Sequence, residues 1–157
     1  MPRQDTQLES EGAEFLVLGQ LLIEGIPAYK TYTNLRGYDL VATWPETNRS
    51  ARIQVKSRWA TNAKQFLIKE IDCDFVVLVR LNRGYRLAAA EKMTLPPQDP
   101  EFYVLAADEA KTLVVDHETG WAKIRWLEQR FEPYRRKWSS IRDFLKIPVK
   151  HNRLKAK

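Results

Sequence analysis

The stretch Arg52-Ile-Gln-Val-Lys-Ser-Arg58 (RIQVKSR) decides how this chain folds. Alternate residues of a β-strand leave opposite faces. Ile53 and Val55 therefore point one way, and Arg52, Gln54, Lys56 and Arg58 the other. Gln54 and Lys56 leave the same face, about 7 Å apart along the strand. Upstream, Tyr38 to Trp44 (YDLVATW) is a second strand, between the turns Asn34-Leu-Arg-Gly37 and Pro45-Glu-Thr-Asn48. Before it, Ala28 to Thr33 (AYKTYT) is another. Three strands in succession with short turns make an antiparallel meander.

A helix precedes the meander, from Ser10 to Glu24. Ser10 is placed to cap it, and Glu11 and Glu14 sit in its first turns, where the dipole favours acids. Phe15, Leu18 and Leu22 line one face with Leu21 beside it; Gly25 stops the helix and Pro27 lies just beyond. Downstream, Asn62 to Ile71 reads as a short helix. Phe75 to Leu81 (FVVLVRL) is apolar on both faces, as in a strand at the middle of a sheet. Tyr85 to Ala90 reads as a returning strand, and Pro96, Pro97 and Pro100 mark a loop. Phe102 to Leu105 is a short strand, Asp108 to Val115 a helix, and His117 to Gly120 a turn. The remainder reads as mostly helical, broken near Pro133.

At 157 residues the chain is expected to be one domain able to bury a core. The core runs over about 10–106, followed by a basic aromatic extension over about 121–150 and a frayed tail, 151–157. The formal charge of +6 is uneven: residues 1–120 hold 14 Lys/Arg against 17 Asp/Glu, and residues 121–157 hold 12 against 3. Such a basic block attracts polyanions. Its aromatics are read first as core: Tyr134, Trp138, Ile141 and Leu145 form one helical stripe. The N-terminus has no apolar signal region and no apolar run is long enough to span a bilayer, so the expectation is a cytoplasmic protein. Cys73 is the single cysteine, so there is no internal disulfide; it reads as a buried packing thiol. Asp116-His117-Glu118 and His151 are not read as metal sites, and no phosphate-binding glycine loop is present.

GAEFLVLGQLLIEG, GYDLVAT and RIQVKSR together resemble the core of the PD-(D/E)xK nuclease superfamily, which includes restriction endonucleases and Holliday-junction resolvases. The resemblance covers roughly residues 10–80. It implies an α/β fold with a restriction-endonuclease-like αβββαβ core, a mixed central sheet flanked by helices, and here a C-terminal helical extension. It implies a metal-dependent endonuclease acting on DNA, with Mg²⁺ or Mn²⁺ as cofactor. Carried onto this chain, the helix acid is Glu14, the metal aspartate Asp39, the second ligand Gln54 and the lysine Lys56. Tyr38 stands in the place of the motif's proline, and Gln54 in the place of an acid, making a Q-x-K variant. A glutamine offers a carbonyl oxygen without charge, so the alternative is a weak or inactive nuclease fold that binds nucleic acid or a partner protein. Read without the resemblance, Gln54 and Lys56 are a solvated sheet face and Glu14 a surface acid. Arg36, Arg52 and Arg58 are near in sequence and suited to clamping phosphates. Members of the superfamily often work as homodimers, and the tryptophan-rich C-terminus is the candidate interface.

Overall fold

The computed structural model describes residues 6–32, 37–84, 97–115, 122–125 and 128–149. Helix α1 (Thr6–Ile23) comes first, followed by β1 (Ala28–Lys30), β2 (Leu40–Trp44) and β3 (Arg49–Arg58). These strands form the expected antiparallel meander, with Ala28 opposite Ala42 and Leu40 opposite Ile53. The turn between β2 and β3 is a single 3-10 turn that Asn48 closes with φ 52°. Asn tolerates this left-handed conformation better than most residues.

The segment from Asn62 to Ile71 is not a helix. It carries β4 (Gln65–Ile68), in which Phe66 and Ile68 are buried and Leu67 is exposed. The chain then enters β5 (Phe75–Arg80), which pairs parallel with β3, and β6 (Glu101–Ala106) pairs antiparallel with β5. The mixed central sheet has the order β1-β2-β3-β5-β6. As expected of a middle strand, β5 is buried on both faces from Phe75 to Val79. The helix expected from Asp108 to Val115 is shorter: α2 (Ala107–Thr112) gives way to β7 (Val114–Val115). The C-terminal part is less helical than its composition suggests. It contains β8 (Ala122–Arg125), α3 (Glu128–Phe131) and α4 (Ser139–Leu145). Strand β8 lies between β4 and β7 in a second, three-stranded sheet.

Two hydrophobic layers sandwich the central sheet. On one face Ala13, Val17 and Leu21 of α1 and Ile141 and Leu145 of α4 pack on Ile53, Val55, Val77 and Val79. On the other, Val76 and Leu78 pack with Phe66, Ile68, Ile124 and Phe131 from the second sheet and α3. Trp138 is 2% exposed and lies against Phe102 at 5.8 Å between ring centroids, so it is core and unavailable as a dimer interface. Tyr134 packs in the opposite layer from Trp138, Ile141 and Leu145, which splits the expected four-residue stripe.

Helix α1 also differs from expectation at both its start and its face. Thr6, the first described residue, is already helical, so Ser10 lies inside the helix and donates to the Thr6 carbonyl at 2.7 Å rather than capping. Its buried face is Ala13, Val17 and Leu21, while Phe15 and Leu22 point outward. Both stripes are apolar, and the smaller residues let the helix approach the sheet more closely. Among the described residues no helix is long and apolar enough to cross a membrane. The expected strand 85–90, the turn 117–120, Arg36, Trp121, Trp126 and the tail lie outside the described residues.

Candidate functional site

The site is built where the β2–β3 ladder stops. The last pair is Leu40 with Ile53, and β3 runs on past it. Beyond that point the β3 backbone has no β2 strand partner, and a buried amide must find another acceptor. Asp39 supplies it. Its own N–H donates to the Ile53 carbonyl at 2.8 Å, and its Oδ2 accepts the Val55 N–H at 2.8 Å. These two contacts straddle Gln54 and fix the Asp39 carboxylate beside the QVK segment. Burial raises the Asp39 pKa above the ordinary 3.8, against the Val55 amide and the Lys56 and Lys30 charges, which lower it.

Gln54 and Lys56 leave β3 on the face of their parallel partners Val76 and Leu78. Gln54 is 8% exposed, so the solvated-face reading does not apply to it. Its Oε1 is buried without a hydrogen-bond partner. An orphaned carbonyl oxygen in the interior costs roughly 1–3 kcal/mol unless a donor or cation reaches it. A cavity of about 300 Å³ lined by Gly37, Gln54, Lys69 and Glu70 opens beside it. Gly37 has φ +93°, and a Cβ there would lie 2.6 Å from the Asp72 carbonyl oxygen. Only glycine allows the turn to approach Asp72 this closely just before Asp39.

Glu14 comes from α1, on the opposite face of the sheet, and reaches the open end of the ladder. Burial raises its pKa above the ordinary 4.5; the Lys30 hydrogen bond lowers it, and the Asp39 charge raises it. Asp39 is thus the shared neighbour: it feels Lys56, and Glu14 feels it.

Lys30 was not among the residues singled out from sequence. Its Nζ lies 2.7 Å from Glu11 Oε1 and 3.0 Å from Glu14 Oε2, and its side chain is 9% exposed. The rings of Phe15, at 4.7 Å, and Tyr32, at 5.9 Å, flank it. Burial works to lower its pKa, but the hydrogen bonds to Glu11 and Glu14 prevail and hold it above 10.5. The available signal was a lysine on the same face as Ala28 in β1, with glutamates three residues apart on the helix before it.

The expected phosphate clamps are otherwise engaged. Arg52 pairs with Asp72 and Asp74, each at 3.4 Å, and Arg58 Nε donates to the Gln65 carbonyl at 2.8 Å. Several cations of the basic extension are likewise tied to the body. Arg135 pairs with Glu101 at 3.7 Å, Arg136 donates to Gln20 Oε1 at 2.9 Å, and Arg142 donates to the Glu24 carbonyl.

Of the residues expected to hold a cation, Glu14 senses the Asp39 charge at the ladder end, whereas Gln54, one residue from the Asp39-bound Val55 amide, leaves the sheet on the face away from α1. Hard divalent ions take oxygen ligands, often with one or two carboxylates plus waters and phosphate oxygens. The unpartnered Gln54 oxygen fits such an ion. Among the described residues no three His, Cys, Asp or Glu side chains converge as a ligand group.

No protein-family description matches the chain, and no curated protein is significantly similar to it. Its α/β fold is similar to that of the solved structure of a bacterial homing endonuclease, I-Ssp6803I. The TM-score is 0.56 with 20% identity, over 92% of this chain and 94% of that one.

Proposed function

We propose that this protein is a metal-dependent endonuclease that hydrolyses phosphodiester bonds of DNA. The observation that carries the reading is the buried, unpartnered Gln54 oxygen one residue from the amide that anchors Asp39. The likeness to a homing endonuclease supports it at the level of fold. Asp39, Gln54 and Glu14 would hold Mg²⁺ or Mn²⁺. When bound, such an ion stabilises charge on a phosphoryl oxygen and lowers the pKa of water.

The chain's own residues do the rest. Asp39 is held rigid by two backbone contacts, which fixes one carboxylate without side-chain reorganisation. Lys56 contributes a positive charge that Asp39 feels and that is suited to orienting water or neutralising phosphate charge. Lys30 holds Glu14 through an ion pair. Arg52 and Arg58 would contact phosphates by exchanging Asp72, Asp74 and Gln65 for the nucleic acid; Arg36 is assigned the same role.

The test is cleavage of branched, nicked, single-stranded and duplex DNA with Mg²⁺, Mn²⁺ or EDTA. Metal-dependent cutting lost in Asp39→Ala and Lys56→Ala is the expected result. Cutting that survives both substitutions overturns the assignment. A second reading, DNA binding without cutting, is favoured by Lys30, which already neutralises one of the two carboxylates. It predicts salt-dependent binding with no cleavage under any metal, and tighter metal binding in Gln54→Glu by calorimetry.

A further inference from the structure

Helix α1 is apolar on two opposite faces. Ala13, Val17 and Leu21 face the core and are fully buried. The outward face carries Leu8, Gly12, Phe15, Gly19 and Leu22, at steps of 4, 3, 4 and 3 residues. This is the spacing of a helix-on-helix seam. Leu8 is 69%, Phe15 48% and Leu22 53% exposed, with Leu16 at 40% and Ile23 at 78% on its flank. No charged side chain falls within the stripe.

We propose that this face binds the same face of a second copy of the chain, with the two α1 helices antiparallel about a two-fold axis. Shape is the first reason. A Cβ added at Gly12 or Gly19 would meet nothing within 4 Å, so each glycine is an open notch between large residues. The register that sets Phe15 against Gly19 of the second copy also sets Leu22 against its Gly12. Two-fold symmetry repeats each contact, as an isologous interface requires.

Charge is the second reason. The α1 acids Glu9, Glu11 and Glu14 all lie in its N-terminal half, and Phe15–Ile23 carries no charge. Antiparallel pairing lays each acidic half on the other copy's neutral half; parallel pairing stacks acid on acid. The helix contains no Lys or Arg. That composition disfavours an anionic bilayer or DNA as the occupant, since both select cations.

Area is the third. The exposed side chains of the stripe and its flank present roughly 500 Å² per copy, the upper range for a patch on a monomer. Paired and fully covered, they would bury at most roughly 1,000 Å², which just reaches the threshold for a specific association.

Sedimentation equilibrium over about 1–200 μM, with helix content followed by circular dichroism, tests the proposal. The wild type is expected to dimerise. Gly12→Lys and Gly19→Lys, each placed in open space and each a better helix former than glycine, are expected to weaken the dimer at least about 100-fold with helix content kept. Phe15→Gln, which changes a half-exposed side chain, should weaken it too. A wild type that stays monomeric throughout overturns the proposal, as does a dimer that persists in all three variants. Association with neutral or anionic vesicles by a protein monomeric in buffer would assign the face to lipid instead and also overturn it.

Discussion

Lys30→Met tests how the site balances its charges. Methionine keeps much of the aliphatic stem that lies against Phe15 and removes the ammonium that bridges Glu11 at 2.7 Å and Glu14 at 3.0 Å. Breaking an exposed ion pair costs about 0–1 kcal/mol, and removing one partner of a buried pair about 3–5 kcal/mol. Glu11's side chain is 45% exposed, so its share is small; Glu14's is 18% exposed, so its share falls between the limits. The expected loss at neutral pH is about 2 kcal/mol, or roughly 4–8 °C in Tm for a chain of this size. The loss also depends on pH. A carboxyl whose folded pKa lies above its unfolded value favours the fold in acid and costs stability as pH rises through the folded pKa. Burial already places Glu14 in that class, and Lys30 restrains the rise. Without Lys30 the Glu14 pKa climbs further, so the penalty is full at neutral pH and shrinks where Glu14 is protonated. Urea unfolding of the wild type, Lys30→Met, Glu14→Gln and the double variant, at about pH 7 and about pH 5, closes a double-mutant cycle. Lys30→Met should be much milder in the Glu14→Gln background and milder in acid. Equal penalties at both pH values, or no coupling in the cycle, would refute the charge argument and leave only lost packing.

Three further outcomes follow from the site and its surroundings. Protons compete with a cation for Asp39 and Glu14, both held above their ordinary values of 3.8 and 4.5, so Mn²⁺ affinity by calorimetry should fall in the mildly acidic range; affinity unchanged down to about pH 4 would exclude these carboxylates as ligands. Gly37→Ala forces a Cβ to 2.6 Å from the Asp72 carbonyl oxygen at φ +93°, and urea unfolding should show at least about 2 kcal/mol lost; a neutral substitution would mean the turn is not held as described. Cys73 is 7% exposed and its thiol is pushed up to about 11, chiefly by burial, so it should resist a thiol reagent at about pH 8 until the protein is unfolded; rapid labelling of the native protein would place it at the surface.

Much of the architecture was legible in the chain because each sheet strand records its own environment. The alternation in RIQVKSR located β3, and the unbroken apolar run from Phe75 located the buried strand beside it. The residue types around the ladder end, Asp39, Gln54 and Lys56, were equally plain. The segment at Asn62–Ile71 was misread because Phe66 and Ile68 mark too short an alternation to separate strand from helix. That ambiguity was resolved by a partner, β8, more than fifty residues away.

The linear order of residues thus determined the strands of the central sheet and set Asp39 just before β2 and Gln54 and Lys56 on one face of β3. Tertiary contact alone decided the rest: which of two apolar faces of α1 is buried, that Lys30 stands between Glu11 and Glu14, and that Trp138 is core. The reason is physical. Periodicity along a segment reports that a face is apolar, but what covers that face depends on elements distant in the chain, and a charge finds its partner only when those elements pack.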